Sequence, residues 1–430
     1  MHRTNFLNAG TAAVVLAAVV ALVALGTAGR VRVATLSGHA DQTPASQRSA
    51  RDTTAWAATA KTVNTSADIS EADLRTRLFI FADDSMQGRR AGSPGHVRAT
   101  AYIARELTRL GVTPAGDHGT FFQRVRVRPG NSDSAWSRNV VALVPGSDPT
   151  LRAQYVALGA HSDHIGFRIG GPVDHDSLRA YDKALWALRG RVAGSAEPSS
   201  AKARAIKIDV AALRRIRPAR PDSINNGADD DGSGSMALLE LAEQLASASV
   251  KPRRTVLFVW HTGEEIDLNG SEEFTAHPTV PLKSIVAQIN IDMIGRGSAA
   301  DLASGGPNYL SVIGPRRLSS ELARWVNEVN TAQATPFSLD YSLDADGHSE
   351  AIYCRSDHWN YARRGIPIAF LFTNLHEDYH EVTDEPQYID YPHYARITRY
   401  VSDLVQKIAN NTARPRVDHA VPKFGASCTQ

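Results

Sequence analysis

From Ile69 onward the chain alternates between apolar positions spaced three and four apart and short runs in which nearly every position is apolar. The first rhythm predicts helices. One is a short amphipathic stretch through Leu78 and Ile80, opened by Ser70 and Asp73 at capping-box spacing with Asp in place of Glu or Gln. Others are residues 97–110, stopped by Gly111, residues 234–248, with Met236, Leu239 and Leu245 on helical spacing, and a final long helix over 393–410. The second rhythm predicts strands. Alternation marks 121–127, 139–144 and 155–160, while the continuous apolar runs 255–260, 285–291 and 366–372 suit strands buried on both faces. This repetition predicts an α/β fold, expected as a mixed, mostly parallel central sheet flanked by helices on both faces in a single domain.

Residues 167–222 break the rhythm. They carry twelve Lys/Arg against six Asp/Glu with one helical pattern near 181–188, so they read as an insertion, either a solvated helical excursion or a substrate-gating lid. Residues 30–68 lack apolar periodicity and read as a flexible linker. Ahead of them, Arg3 precedes an apolar run from Ala12 to Leu25 followed by small residues, the layout of a signal peptide. With its flanks the run approaches the ~18 residues that cross a bilayer, which keeps a retained anchor over 11–28 as the alternative. The expected organisation is therefore signal peptide or anchor over 1–29, linker over 30–68, catalytic domain over 69–412 and a C-terminal tail over 413–430. The expected location is secreted or periplasmic, with a membrane as partner only if the N-terminal segment is retained.

Composition narrows the function classes. A chain of 430 residues with 43% hydrophobic content can bury a sizeable core, and a net charge of +2 sets up no global attraction to nucleic acid. The basic 167–222 stretch has few interleaved aromatics beyond Tyr181 and Trp186, so no nucleic-acid partner is expected. Cys354 and Cys428 are too few for a disulfide framework or a cysteine-rich zinc module. A single bridge between them stays open.

Chemistry concentrates just after predicted strands, where open α/β sheets bind ligands. The strand 155–160 runs into His161-Ser162-Asp163-His164, and 255–260 into His261-Thr262-Gly263-Glu264-Glu265. Asp292 follows 285–291, Asp378-Tyr379-His380 follows 366–372, and an acidic turn over 227–234 precedes the helix near Ser235. Three consecutive aspartates in that turn repel phosphate, which excludes a phosphate loop. Ser356-Asp357-His358 are chain neighbours without a strained nucleophile turn, which argues against a serine triad, and Cys354 has no better claim as a nucleophile. His164, His261, His358 and His376 read as structural or supporting histidines.

In order and spacing, His-x-Asp, Gly-Ala-Asp-Asp-x-Gly-Ser-Gly, Gly-Glu-Glu, Asn-x-Asp-Met-Ile-Gly, Ser-Asp-His and Asp-Tyr-His resemble the di-zinc aminopeptidases that include bacterial leucyl aminopeptidases and vacuolar aminopeptidase Y. The stretch from Ala82 to Arg89 is similar to the start of their catalytic domain, and the spacing between Val127 and Asn139 leaves no room for the protease-associated insert some members carry. The resemblance implies two zinc ions bridged by Asp230, with His161 and Asp292 completing one ligand set and Glu265 and His380 the other. It implies Glu264 as general base, Asp163 as a support for His161, Tyr379 at the carbonyl under attack, and a cis peptide between Asp230 and Asp231. Zinc accepts imidazole nitrogen and carboxylate oxygen, and a catalytic site keeps one position open for water. Paired metals activate that water and polarise the carbonyl, while a free carboxylate such as Glu264 moves the proton.

The expected function is a secreted metallo-exopeptidase acting on N-terminal residues of peptides. A carboxypeptidase or dipeptidase of the same family, or a one-zinc glutaminyl-peptide cyclase, is the enzymatic alternative. A metal-free binding relative is the non-enzymatic one.

Overall fold

The computed structural model describes residues 64–127, 135–423 and 427–430. The expected signal peptide or anchor lies outside them, as does most of the expected linker. Nine strands form one sheet: β1 (Thr113–Pro114), β2 (Phe122–Val127), β3 (Ala135–Val144), β4 (Tyr155–His161), β5 (Thr255–His261), β6 (Ile285–Ile291), β7 (Tyr309–Ile313), β8 (Ser338–Asp340) and β9 (Ile368–Phe372). Their order is β1-β3-β5-β4-β6-β9-β7-β8, with β2 also paired to β3. The central four, β5, β4, β6 and β9, run parallel, while β3 against β5 and β7 against β9 are antiparallel. The sheet is therefore mixed with a parallel core.

Side chains of the central strands alternate between two apolar layers, as a period of two requires. Val156, Leu158 and Ala160 of β4, with Val256, Phe258 and Trp260 of β5, join one core. Helices α1 (Glu71–Phe81), α2 (Pro94–Arg109), α4 (Gly234–Ser247), α6 (Ser320–Thr331) and α7 (Tyr391–Asn410) cover that face. Ala157, Leu257 and Val259 face the other core, covered by α5 (Asn269–Ala276) and a short helix over His358–Ala362. Between β4 and α4 the chain forms α3 (His175–Leu188), two shorter helices, and a ribbon pairing Val173–Asp174 with Pro221–Asp222.

Local chemistry sets the element ends. The Ser70 hydroxyl accepts from Asp73 N at 3.0 Å, capping α1, while the Asp73 carboxylate turns outward to Ser66. Helix α2 begins at Pro94 rather than Val97 because Ser93 caps it, and α3 begins six residues before Tyr181 because Asp174 does. Strand β3 starts at Ala135 rather than Asn139, since pairing with β2 continues through Trp136, Ser137 and Arg138. Strand β7 and helix α6 add to the elements expected from the sequence. Cys354 and Cys428 form a disulfide, which ties the C-terminal segment to the loop before His358.

Candidate active site

The four parallel strands end on one rim, and the chemistry-bearing residues stand there. His161 is the last residue of β4, Asp292 follows β6, Glu264 and Glu265 follow β5 after a Thr-Gly turn, and His380 lies in the loop after β9. The acidic turn enters from the side, between the Ile224–Asn225 strand and α4.

The three consecutive aspartates of that turn point in three directions. Asp229 accepts from Gly295 N at 2.6 Å and lies 3.2 Å from His376 Nε2. Asp231 accepts from the backbone N–H groups of His161, Gly234 and Met293, so it joins the ends of β4 and β6 to the start of α4. Only glycine fits at 234, because a Cβ there would stand 2.3 Å from the Ile291 carbonyl and 2.4 Å from Asp231 Oδ1. Asp230 lies between, with a cis peptide bond to Asp231. Its Oδ1 is 3.0 Å from His161 Nε2, and its Oδ2 is 3.1 Å from His380 Nε2. One carboxylate thus faces two separate sets.

The first set continues with Asp292 Oδ1, 3.6 Å from His161 Nε2. The second continues with Glu265 Oε2, 3.0 Å from His380 Nε2, and Glu265 Oε1 meets His164 Nδ1 at 2.7 Å. Several of these side chains have an outer partner that fixes their direction. His161 Nδ1 donates to the Asp163 carbonyl at 3.1 Å, which turns Nε2 toward Asp230. Asp292 Oδ2 accepts from Ser356 Oγ at 2.8 Å, and Asn290 Nδ2 donates to that hydroxyl at 2.9 Å. The Asp384 carboxylate accepts from both Asp229 N and Asp230 N, and the Arg89 guanidinium donates to the carbonyls of Asn226 and Gly227. Asp163 reaches the other acidic pair through its carboxylate, which accepts from Glu264 N at 3.3 Å.

Burial and charge give these groups different acidities. Burial alone would raise the Asp230 carboxyl, yet His161 and His380 outweigh it and hold it well below the usual range. Glu265 is likewise held down to about 2, because His380 and His164 outweigh burial and Asp230. Glu264 goes the other way: burial, then Asp292 and Glu265, push it well above the ordinary range against the pull of His161. His380 opposes burial and is raised to about 10 by Glu265 and Asp230. Burial lifts the Tyr379 phenol far up, so it stays an O–H donor. Its ring stacks on His380 at 3.9 Å between centroids, and Arg355 Nη2 donates to its oxygen at 3.3 Å.

A dense set of buried carboxylates with two imidazoles between them calls for compensating cations. The donors are nitrogen and oxygen, the chemistry that zinc accepts. Beside them opens a cleft reaching from His161, Asp230 and Glu264 to the apolar side chains of Ile352, Phe370 and Leu375.

The other histidines and the Ser-Asp-His run have local partners. Ser356 serves Asp292, Asp357 Oδ2 lies 3.3 Å from His261 Nδ1, and His358 Nε2 donates to the Tyr353 carbonyl at 2.8 Å, so the three diverge. His261 Nε2 meets Tyr361 Oη at 2.9 Å. Sequence reasoning gave no role to Arg89, Ser356 or Asp384. Arg89 had a signal in the Ala82 to Arg89 stretch and Ser356 in the Ser-Asp-His motif, while Asp384 had none.

Residues 139–405 match peptidase family M28. The chain is 28% identical over 223 residues to a probable leucine aminopeptidase of Arthroderma benhamiae, a match covering 46% of this chain and 57% of that protein. It is 29% identical over 208 residues to leucine aminopeptidase 1 of Paracoccidioides brasiliensis, covering 44% and 51%. The chain thus spans about half the length of the curated relatives it matches. In fold it is similar to the LapA aminopeptidase of Legionella pneumophila, with a TM-score of 0.52 at 16% identity over 88% of this chain and 79% of that one. It is also similar to a glutaminyl cyclase of Porphyromonas gingivalis, with a TM-score of 0.53 at 17% identity over 79% and 98%.

Proposed function

The chain belongs to peptidase family M28, and on that premise we propose that it is a two-zinc aminopeptidase removing apolar N-terminal residues from peptides. The observation that carries this reading is Asp230, whose two oxygens lie 3.0 Å from His161 and 3.1 Å from His380. In the proposed assignment His161, Asp230 and Asp292 hold one zinc and His380, Glu265 and the shared Asp230 the other. When bound, the zinc ions polarise the scissile carbonyl, acidify the attacking water and stabilise the oxyanion.

The protein's own residues supply the remainder. Glu264, a raised carboxyl beside both sets, takes the proton of the attacking water and returns it to the leaving amine. The Tyr379 hydroxyl accepts from Arg355, which leaves its own proton free to donate to the carbonyl oxygen of the substrate. Asp163 keeps His161 in the tautomer that presents Nε2, through its backbone oxygen. The apolar wall of Ile352, Phe370 and Leu375 receives the side chain of the residue to be removed.

Location outside the cytoplasm, secreted or periplasmic, is part of the same reading. It is supported by the Cys354–Cys428 disulfide, which suits an oxidising compartment, and by the apolar N-terminal run. The deciding experiment measures zinc stoichiometry together with hydrolysis of a free-amine and an N-acetylated leucyl peptide. Two zinc ions and cleavage of the free-amine peptide alone are expected. One zinc with cyclising activity, or indifference to N-acetylation, overturns the reading.

A further inference from the structure

None of the side chains lining the two cavities beside Glu264 comes from residues 167–222. That segment instead touches the outer sides of the two loops that form the rim. The first contact is at Asp378, next to Tyr379 and His380. Arg179 of α3 donates to Asp378 Oδ2 through Nη2 at 2.9 Å and Nε at 3.3 Å, with its guanidinium carbon 3.5 Å from the centre of the Tyr388 ring. From the opposite side Arg296 Nη1 donates to the same oxygen at 2.9 Å, and Thr383 Oγ1 donates to Oδ1 at 2.8 Å. The insertion also reaches Arg296 indirectly. Trp186 Nε1 donates to the Asp301 carbonyl at 2.6 Å, and the Asp301 carboxylate accepts from Arg296 at 2.6 and 3.0 Å.

The second contact is at Glu350. Gly194 N donates to Glu350 Oε1 at 2.9 Å, Glu350 Oε2 accepts from Arg355 Nη1 at 2.6 Å, and Arg355 Nη2 reaches Tyr379 Oη at 3.3 Å. The contacts close a ring: insertion, Asp378, Tyr379, Arg355, Glu350, insertion. Inside it His380 sits in the left-handed region at φ 60°, a conformation that a non-glycine residue keeps only when its surroundings over-determine it.

We propose that the 167–222 segment is a buttress for the rim, and that Arg179 is a positioning residue which, through Asp378, holds Tyr379 and His380 where the reaction needs them. The zinc-related part of this inference rests on the proposed ligand role of His380; the mechanical part does not. An Arg is required at 179 because its planar fork binds a carboxylate oxygen while lying flat on an aromatic ring. A Lys supplies the charge without the fork.

The test compares the wild-type protein with Arg179→Met, Arg179→Lys and Trp186→Phe. Three quantities are measured: deuterium uptake of the peptide spanning 376–382 in metal-free protein, zinc retained against a graded chelator, and kcat and KM on a leucyl peptide. Arg179→Met is expected to raise uptake at 376–382, to release its first zinc at about tenfold lower chelator, and to lower kcat with little change in KM. Arg179→Lys recovers part of each, and Trp186→Phe moves all three the same way by less. Wild-type uptake and zinc retention in Arg179→Met overturn the proposal. If Arg179→Met does not fold, wild-type behaviour of Trp186→Phe overturns it equally. A wild-type protein that holds fewer than two zinc ions defeats the two-zinc reading instead, and uptake at 376–382 still decides the buttress.

Discussion

Glu264 and Glu265 are neighbours on one turn, yet their surroundings separate them. Glu265 is fixed between His380 and His164 and held down to about 2, a permanent anion suited to a cation. Among the described residues no histidine lies within hydrogen-bond distance of Glu264: His161 Nε2 is 3.9 Å from it, and burial raises its carboxyl. Pairs of carboxyl groups pushed apart in this way divide a reaction between them. Glu264→Gln keeps the shape but removes the carboxylate that accepts the proton, so turnover is expected to fall about a hundredfold to ten-thousandfold while zinc content stays at the wild-type level. Glu265→Ala is expected to lose zinc first. Metal analysis and initial rates on the two variants check the assignment, and equal zinc loss in both contradicts it. The position of this pair on the rim was legible in the sequence because it closely follows the apolar run 255–260, whereas the division of roles came from the resemblance. The outer partners were not legible. Asp384 reaches the site through the N–H groups of Asp229 and Asp230, and Arg89 through the carbonyls of Asn226, Gly227 and Ser162; contacts made to backbone leave no pairing signal between side-chain types.

At the scale of elements, the site depends on where α4 starts against the end of β6. Asp231 holds that junction from below and Gly234 allows the approach, with no room for a methyl group between Ile291 O and the Asp231 carboxylate. Gly234→Ala gains helix propensity but forces the two elements apart. It is expected to destabilise the fold by about 1–3 kcal/mol, the range for overpacking, and to weaken zinc retention because Asp230 lies on the same turn. A urea midpoint no lower than that of the wild type contradicts this. The central elements were readable from the sequence because strands buried on both faces are mostly apolar, as in β5, and even β6 has only Gln288 and Asn290 among its seven residues as polar positions. Strand β7 is as apolar, but five residues are too few to tell a buried strand from a helical turn. Helix α6 carries Leu322, Trp325, Val326 and Val329 at helical spacing behind a Ser319 cap, so its signal was present; it lies far from any metal-ligand motif. Helix α3 is the opposite case. Its buried residues are only His175 and Trp186, and its docking on the rim is polar, which periodicity does not register.

Over the whole molecule, part of the response to acid comes from two histidines that folding keeps neutral. A net charge of +2 leaves little global repulsion to drive unfolding near neutrality, so individual buried histidines matter more. His96 and His358 are each held down to about 3, His96 by burial and the nearby Arg138 and Arg89, His358 by burial that its carbonyl partner and Asp357 only partly offset. In the unfolded chain both return to the ordinary value of 6.5. Between those values the unfolded state binds protons that the folded state refuses, so stability falls as pH drops below 6.5 and continues falling toward 3. Above 6.5 these two residues contribute no slope. His358 is the cleaner probe, since it stacks on Phe370 with ring centroids 4.7 Å apart and makes one hydrogen bond, to the Tyr353 carbonyl. His358→Leu loses that bond, which costs about 1 kcal/mol at neutral pH, but it also removes the proton uptake on unfolding. Thermal melting of both proteins with chelator present, so that zinc release does not enter, is therefore expected to give a smaller drop between pH 7 and pH 4.5 for the variant, by about one proton's worth of slope. Parallel curves for the two proteins would mean that His358 charges without cost in the folded state, and acid sensitivity would then have to come from the carboxylates around Asp230.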